Sequence, residues 1–283
     1  MNKLKVLELF GGIGACSKAL EKLGINYEIA DYVEIDKYAV KSFNAIHNTN
    51  FEPQDITTWN KDIEIDLIMH GSPCQDFSLA GLQAGGDEGS GTRSSLMYET
   101  IRIVKKLKPK YVIWENVKNL LSKKHRHNFD SYLEIMEKLG YTNYYQVLNA
   151  KDYGIPQNRE RVFTISIRND IDKQFIFPEK QELKLKLDYR FYDDRDKGWG
   201  IKISDICPTQ RATRSGIKKI YSDGKIEKLS AKECWCLMGF DDKDFDKASK
   251  ANSNAQLYKQ AGNSIVVNVL MAIFNELLKK EGE

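Results

Sequence analysis

Short apolar runs alternate with amphipathic segments along the first 170 residues of the chain. Runs of this length and composition are typical of strands in a buried sheet, and the apolar stripes between them are typical of helices. Strands are predicted at 5–10, 27–33, 67–70, 111–115, 144–149 and 162–167, and helices at 15–23, 36–46, 94–108 and 128–139. Regular alternation of strand and helix predicts an α/β fold, a doubly wound and mostly parallel sheet.

The pattern changes after Asp170. Residues 171–229 are charged and lack a helical period, which predicts short strands and loops. Apolar positions return with helical spacing over 265–280, and we expect this helix to pack back onto the large sheet. The predicted division is a large domain, residues 1–170 plus 257–283, and a small second lobe, residues 171–256.

The composition is ordinary for a soluble globular protein, with 41% hydrophobic and 29% charged residues in a chain of 283. No apolar stretch approaches the roughly 20 residues of a membrane span, and no signal peptide is recognisable. The five cysteines are few and odd in number, which favours a reducing compartment. We therefore expect a cytoplasmic protein with no membrane partner.

The net charge of +3 does not by itself indicate nucleic-acid binding. Basic residues cluster, however, in two groups that could equally be solvated helix faces. The groups are Arg102, Lys105, Lys106, Lys108 and Lys110, and then Lys118, Lys123, Lys124 and Arg126.

A cysteine, Cys74, follows Pro73 shortly after the predicted strand 67–70. A lone cysteine is usually a small buried packing residue. Here it stands at a strand end, where ligands bind in open α/β sheets, and a glycine-rich segment at 76–95 follows it. These features favour a nucleophile covered by a lid.

An acid follows the next predicted strand at a similar position. Glu115 comes after the run Val112–Trp114, so we expect it to be half buried, with a raised pKa that lets it share a proton with a substrate nitrogen. Arg159 and Arg161 precede the strand at 162–167 and could clamp a carbonyl oxygen or a phosphate. An exposed turn with salt bridges explains these two arginines equally well.

A glycine turn, residues 10–14, follows the first strand, and Glu34 lies about 20 residues further on. Such an acid can bond both ribose hydroxyls of a nucleoside-containing cofactor, and the spacing suits NAD as well as other nucleosides. Asp55 and Ile56 could bracket an adenine, although Asp55 alone is more simply a turn or cap residue.

Six motifs in order resemble those of the C5-cytosine DNA methyltransferase family over nearly the whole chain. They are ELFGGIG at 8–14, GSPCQDFS at 71–78, ENV at 115–117, QNRER at 157–161, LSAKEC at 229–234 and QAGNS at 260–264. Together these motifs are highly specific, which a single glycine turn or cysteine is not.

The resemblance implies S-adenosyl-L-methionine as cofactor and a cytosine flipped out of double-stranded DNA as substrate. It implies that Cys74 attacks cytosine C6, that Glu115 bonds the N3/N4 edge and that Arg161 holds O2, with Arg159 among the catalytic residues. The implied cofactor residues are Phe10, Gly12, Gly14, Glu34, Ile35, Asp55, Ile56, Pro73, Leu96, Asn263 and Ser264. The small lobe becomes a target-recognition lobe. The protein is expected to be a monomer acting in restriction–modification, with a restriction enzyme encoded separately, or in phage self-protection.

Two positions depart from the family pattern. The segment before Leu229 is short for a lobe that reads DNA sequence, and Ile35 stands where many members carry a bulky aromatic residue. Metal binding by Cys207, Cys234 and Cys236 is not expected, because the spacing is not that of a zinc site.

Three alternatives stay open at this stage. One is the same chemistry on transfer RNA, although that branch typically has two prolines before its cysteine and this chain has Ser72 and Pro73. The others are a nicotinamide oxidoreductase, which leaves Cys74 and Glu115 unexplained, and a DNA-binding protein without activity.

Overall fold

The structure is a computed structural model, and it describes residues 3–72, 96–183, 187–193, 202–212 and 217–279. Pro73, Cys74 and the predicted lid at 76–95 lie outside these ranges.

The first part of the chain forms a layered α/β unit. Its strands are β1 (Leu4–Leu9), β2 (Tyr27–Val33), β3 (Leu67–His70), β4 (Tyr111–Val117), β5 (Tyr141–Asn149), β6 (Gln157–Asn158) and β7 (Glu160–Arg168). Its helices are α1 (Ala15–Lys22), α2 (Lys37–His47), α3 (Met97–Leu107) and α4 (Arg126–Lys138).

Six of these strands make one sheet in the order β2-β1-β3-β4-β7-β5. Strands β2, β1, β3 and β4 pair in parallel, whereas β7 runs antiparallel to both of its neighbours. The predicted doubly wound, mostly parallel sheet is confirmed. Its antiparallel member, β7, begins where β4 ends.

Both faces of the sheet are covered, as continuous apolar strands require. On one face α1 packs against the last helix of the chain, α8 (Val267–Leu278), and on the other Trp114 packs with α4 residues Phe129 and Tyr132. Each of these three side chains is at least 99% buried.

By length and composition, the segment Asn254–Leu278 could also cross a membrane. It consists of two helices, α7 (Asn254–Asn263) and α8, and the apolar face of α8 is buried against the sheet. Leu270, Ile273 and Phe274 are fully buried there, so the segment is a core element.

The element boundaries depart from the sequence prediction in two informative places. Strand β5 starts at Tyr141 rather than 144, directly after Gly140 turns the chain at φ 87°. Helix α7 was not predicted, because its buried side includes the polar Gln260 and small residues instead of an apolar stripe.

The small lobe contains a four-stranded antiparallel sheet in the order β12-β11-β8-β9. Its strands are β8 (Tyr189–Asp193), β9 (Lys202–Ser204), β11 (Lys218–Tyr221) and β12 (Ile226–Lys228). A further short strand, β10 (Cys207–Pro208), pairs in parallel with β6. This pairing connects the lobe to the segment that leads into β7.

Two helices follow the four-stranded sheet of the lobe, α5 (Ala231–Cys236) and α6 (Asp242–Ser249). Helix α5 contacts α7, and α6 contacts α2. Lys18 of α1, 95% buried, forms an ion pair with the buried Asp244 of α6 at 2.9 Å. The division at residue 256 stays a prediction. These contacts favour assigning both helices to the large domain.

The turn between β1 and α1 depends on Gly14, which has φ 82° and precedes α1. A Cβ there would lie 2.3 Å from His47 Nε2 and 2.8 Å from the Phe43 ring. Gly24 also has positive φ, at 65°, but an added Cβ there has no atom within 4 Å among the residues that the structure describes.

We predict that Gly14→Ala lowers the free energy of unfolding by about 3 kcal/mol, because backbone strain adds to overpacking. The matched control Gly24→Ala has the backbone cost alone, about 1 kcal/mol. Urea unfolding of both variants measures the difference. Equal losses would show that the contacts with Phe43 and His47 are unimportant.

Candidate active site

A cleft opens at the carboxyl ends of β1, β3 and β4, the edge at which open α/β sheets bind ligands. Its described walls come from the loop after β1, the ends of β3 and β4, and the turn between α7 and α8. They include Phe10, Gly12, Glu115, Asn263 and Ser264. Four segments distant in sequence therefore meet around one space.

The loop after β1 has a left-handed backbone at Phe10, φ 53°, and at Gly12, φ 55°. An added Cβ on Gly12 would have no atom of a described residue within 4 Å, so the backbone faces space that the described part of the chain leaves open. The Tyr32 hydroxyl donates to the Gly12 carbonyl at 2.6 Å and holds the loop. A non-glycine residue in this conformation is strained, and such strain concentrates at ligand sites.

Glu34 at the end of β2 is joined to the same loop. Its carboxylate accepts hydrogen bonds from the Gly12 N–H at 3.1 Å and from the Asp36 N–H at 2.8 Å. Burial raises the pKa of Glu34, and these backbone donors oppose the rise. The neighbouring Ile35 is 68% exposed, which is unusual for a large apolar side chain.

Three further predicted cofactor residues lie outside this loop. Asp55 and Ile56 are in the segment between α2 and β3, and Leu96 directly precedes α3. Asp55 Oδ1 accepts from the Thr57 N–H and hydroxyl at 2.9 and 2.8 Å, the arrangement of a turn residue. Ile56 is 95% buried in the core, and Leu96 is half buried. A contact of Asp55 or Ile56 with adenine stays a prediction.

Glu115 is buried near the end of β4 and faces an arginine. Arg161 Nε lies 3.0 Å from Glu115 Oε1. Burial raises the pKa of Glu115 above its ordinary value, while the charges of Arg161 and Arg159 oppose the rise. A carboxyl group with a raised pKa exchanges a proton with a substrate more readily than an exposed one.

The pairing of β4 with β7 explains this meeting. Arg161 lies opposite Val117 in the antiparallel ladder, two positions from Glu115, so its side chain can reach back to the carboxylate. The arginine motif thus reaches the carboxyl edge of the sheet only because β7 runs against its neighbours.

Arg159 has a different environment, because it is 96% buried and bonded to backbone. Its guanidinium donates to the carbonyls of Gln210 at 3.0 Å, Gly262 at 3.2 Å and Ser264 at 2.7 Å. It thereby links the lobe segment at Gln210 to the turn that lines the cleft.

Ser72 is the last described residue before Pro73 and Cys74. Its hydroxyl accepts from Trp114 Nε1 at 3.0 Å, and its carbonyl accepts from Asn116 Nδ2 at 3.4 Å. These two donors flank Glu115 in sequence. Hydrogen bonds therefore hold Ser72, at the start of the cysteine motif, against the end of β4 that carries Glu115.

Glu8 is a cleft residue whose individual role the sequence reasoning missed. It is 98% buried, and its Oε1 accepts from the Ser17 N–H at 3.0 Å and from the Ser17 hydroxyl. Burial raises the pKa of Glu8 to about 7. The sequence indicated this residue by placing an acid within the apolar run 6–10 of the first predicted strand.

The two basic groups differ in their surroundings. In the first, Arg102 pairs with Glu99 and Lys110 with Asp66 at the end of β4 away from the cleft. The second follows the carboxyl end of β4. Its exposed Lys123 and Lys124 form no ion pair with a described residue, so this group has charge available for a partner.

The sulfur and histidine residues indicate no metal centre in the described ranges. No group of three or more His, Cys, Asp or Glu side chains there could hold an ion. Cys207 and Cys234 are buried, and Cys236 is exposed on α5.

A doubly wound sheet, a glycine loop bonded to an acid, and a glutamate–arginine pair at the open edge are features of an α/β enzyme whose active site lies at the carboxyl ends of the strands. The family model described as C-5 cytosine-specific DNA methylase matches residues 4–193 and 188–279. The chain belongs to this family and is a DNA (cytosine-5)-methyltransferase. The oxidoreductase alternative is thereby excluded.

The relatives include bacterial and phage enzymes. Type II methyltransferase M2.ScrFI of Lactococcus lactis subsp. cremoris is 36% identical over 98% of this chain and 100% of its own length. M.HhaI of Haemophilus parahaemolyticus is 34% identical over 95% and 93%. Orphan methyltransferase M.SPBetaI of Bacillus phage SPbeta is 28% identical over 98% of each chain. The M2.ScrFI alignment spans 362 positions against 283 residues here, so that relative contains insertions.

Solved structures share the fold. The Entamoeba histolytica methyltransferase EhMeth aligns with a TM-score of 0.75 at 18% identity, covering 99% of this chain and 100% of that chain. S. pombe Dnmt2 aligns with a TM-score of 0.71 at 19% identity, covering 98% of each.

We predict a pH-dependent loss of stability due to Glu8. The folded protein keeps a proton on Glu8 that the unfolded chain releases above pH 4.5, so this contribution is present below pH 4.5 and lost as the pH rises to about 7. The difference amounts to about 3 kcal/mol. Glu8→Gln keeps an acceptor for Ser17 and removes the dependence.

Urea unfolding at pH 5 and pH 8 tests this. Relative to the wild type, Glu8→Gln should gain stability at pH 8, whereas Glu28→Gln, at an exposed position on β2, should follow the wild-type curve. A Glu8→Gln variant that loses stability between the two pH values as the wild type does would contradict the assignment.

Proposed function

We propose that this chain transfers a methyl group from S-adenosyl-L-methionine to C5 of a cytosine flipped out of duplex DNA, through a covalent bond to Cys74. The observation that carries the proposal is the buried pair of Glu115 and Arg161 at the carboxyl edge of the sheet. Ser72, two residues before Cys74, is bonded to the same strand end.

The residues around the glycine loop fit the cofactor. Open space above Gly12 leaves room for a ligand against the backbone, and the exposed Ile35 offers an apolar face to a purine ring. Glu34 carries a carboxylate suited to ribose hydroxyls. The residues assigned to cofactor binding are Phe10, Gly12, Gly14, Glu34, Ile35, Asp55, Ile56, Pro73, Leu96, Asn263 and Ser264. When bound, the cofactor supplies a methyl group on a positively charged sulfur.

The protein residues make cytosine C5 reactive toward this methyl group. The Cys74 thiolate adds to C6 while Glu115, in its protonated form, donates to the N3 edge, so electron density moves to C5. Arg161 donates to O2 and holds the ring. After methyl transfer a water molecule acting as base takes the C5 proton, the C5–C6 double bond re-forms as the bond from Cys74 to C6 breaks, and the N3 proton returns to Glu115.

The raised pKa of Glu115 suits this role, because it favours the protonated form of the carboxyl group, which can donate to N3. Arg161 Nε lies 3.0 Å from Glu115 Oε1, and its charge stabilises the carboxylate when the proton is on cytosine N3. The environment of Glu115 therefore accommodates both the protonated and the ionised form of its carboxyl group.

Arg159 was grouped with the catalytic residues on the family resemblance. Its three bonds to backbone carbonyls support a positioning role instead, in which it keeps the lobe segment and the turn at Ser264 in place around the cleft.

Duplex DNA is the favoured substrate over transfer RNA. The relatives at 28–36% identity are named type II or orphan methyltransferases of bacteria and phages, and this chain has Ser72 before Pro73. Incubation with tritiated cofactor and either duplex DNA or tRNA separates the two substrates. Incorporation into tRNA alone would overturn the proposal. Bisulfite sequencing of the methylated DNA then identifies the recognised site and the modified cytosine.

We predict that Cys74→Ser abolishes methylation and leaves cofactor binding within about 2-fold of the wild type, because the thiol acts on cytosine. Isothermal titration with the cofactor and methylation of plasmid DNA measure the two effects.

The covalent step has a separate test. The wild type should form a denaturation-resistant adduct on duplex DNA containing 5-fluorocytosine, since the proton that must leave is replaced, and Cys74→Ser should form none. Full turnover by Cys74→Ser, or no adduct with the wild type, would refute the covalent role.

The biological setting follows the relatives. We assign the protein to the cytoplasm as a monomer, either protecting host DNA from a separately encoded restriction enzyme or protecting phage DNA. Size-exclusion chromatography with light scattering tests the monomer.

A further inference from the structure

A buried hydrogen bond between side chains joins the strand of the acid to the segment that leads to the cysteine. Trp114 of β4 donates from its indole Nε1 to the Ser72 hydroxyl at 3.0 Å, and the two side chains are 99% and 97% buried. An indole N–H is a donor with one direction and no acceptor capacity. The direction of the indole therefore determines where the Ser72 hydroxyl lies.

The indole is itself held by three other rings. The His70 ring lies parallel to it, with 5.6 Å between ring centroids and an interplanar angle of 4°. Tyr132 and Phe129 of α4 follow at centroid distances of 4.3 and 5.9 Å. All four rings are at least 99% buried, and side chains packed in this way keep a single rotamer. The donor direction of Trp114 is therefore fixed by packing.

His70 belongs to the same chain segment as Ser72, because it is the last residue of β3 and pairs with Trp114 in the parallel ladder. Its ring nitrogens lie 3.4 Å from the Thr100 hydroxyl and 3.5 Å from the Tyr132 hydroxyl. Burial lowers the pKa of His70 to about 3, so the ring is neutral at neutral pH and places no charge beside the indole. Both strand ends are thus joined twice, through ring packing and through the bond to Ser72.

The bond from Trp114 to Ser72 lies between the two groups that act on cytosine. Successive side chains of a strand point to opposite faces, so Trp114 packs on α4 while its neighbour Glu115 lines the candidate active site. Ser72 precedes Cys74 by two residues, a length of chain that spans at most about 7 Å, and the proline between them restricts the connection. The place of Ser72 therefore limits where the Cys74 thiol can act.

We propose that Trp114 is a positioning residue for the reaction, whose indole N–H holds Ser72 and thereby sets the place from which Cys74 attacks cytosine C6 opposite Glu115. The proposal rests on the proposed function, since it assumes that Cys74 is the nucleophile. Thiol and acid must reach C6 and N3 of one ring together, so a small displacement of either lowers the rate. The other donor to Ser72, Asn116 Nδ2, is 3.4 Å from the carbonyl and gives a weaker constraint.

The test removes the bond from either side. Trp114→Phe keeps an aromatic ring and loses the donor, and Ser72→Ala loses the acceptor. Each should lower kcat by about 10-fold and leave the KM values for cofactor and plasmid DNA within about 2-fold of the wild type, because binding is unchanged and only the attack is misplaced. The rate of adduct formation on duplex DNA containing 5-fluorocytosine should fall in the same proportion. Since both changes remove one bond, the double variant should be no slower than the slower single variant.

The matched control is Trp235→Phe. Trp235 of α5 is fully buried, and its Nε1 donates to the Leu257 carbonyl at 2.9 Å, so this variant loses an equivalent bond outside the candidate active site. Urea unfolding should show similar losses of stability for the two tryptophan variants, whereas Trp235→Phe should keep the wild-type kcat and adduct rate. A loss of kcat confined to Trp114→Phe is then not a consequence of lower stability.

The outcomes separate the two proposals. Wild-type protein that neither methylates DNA nor forms the adduct would remove the proposed function and this inference with it. Wild-type protein that does both, with Trp114→Phe matching Trp235→Phe in kcat and in adduct rate, would overturn this inference alone. Losses of kcat that add in the double variant would also overturn it, because Trp114 and Ser72 would then act separately.

Discussion

The active site depends on the position of β7 between β4 and β5. This strand runs antiparallel to both neighbours, so its first residues lie at the carboxyl end of β4. Arg161 consequently meets the buried Glu115, and Arg159 lies between the lobe segment at Gln210 and the turn at Ser264. A parallel β7 would place both arginines at the far edge of the sheet.

The buried guanidinium of Arg159 and the partly buried guanidinium of Arg161 have different tasks because their partners differ. Arg161 has a carboxylate partner and so influences a proton. Arg159 has three carbonyl partners from two distant segments and so holds backbone in place. Charged donors to neutral carbonyls in a buried site contribute to stability and geometry, and a charged donor to an acid also changes its pKa.

Charge is distributed in a way that matches this architecture. Lys219 and Lys225 of the small lobe pair with Glu227, whereas Lys151, Lys202 and Arg211, which line the cleft facing the large domain, form no ion pair with a described residue. The modest net charge of +3 conceals this arrangement, since attraction for a polyanion depends on local, unpaired charge.

The amino-acid sequence alone predicted the doubly wound sheet, the strands that carry Glu8 and Glu115, and the family, because apolar periodicity and motif order are local properties. It did not predict α7, whose buried side lacks an apolar stripe. Nor did it predict which arginine reaches the acid or which cations stay unpaired. Those depend on strand direction and on contacts between residues distant in the chain, such as Arg159 with Ser264 and Lys219 with Glu233, which only the tertiary structure brings together.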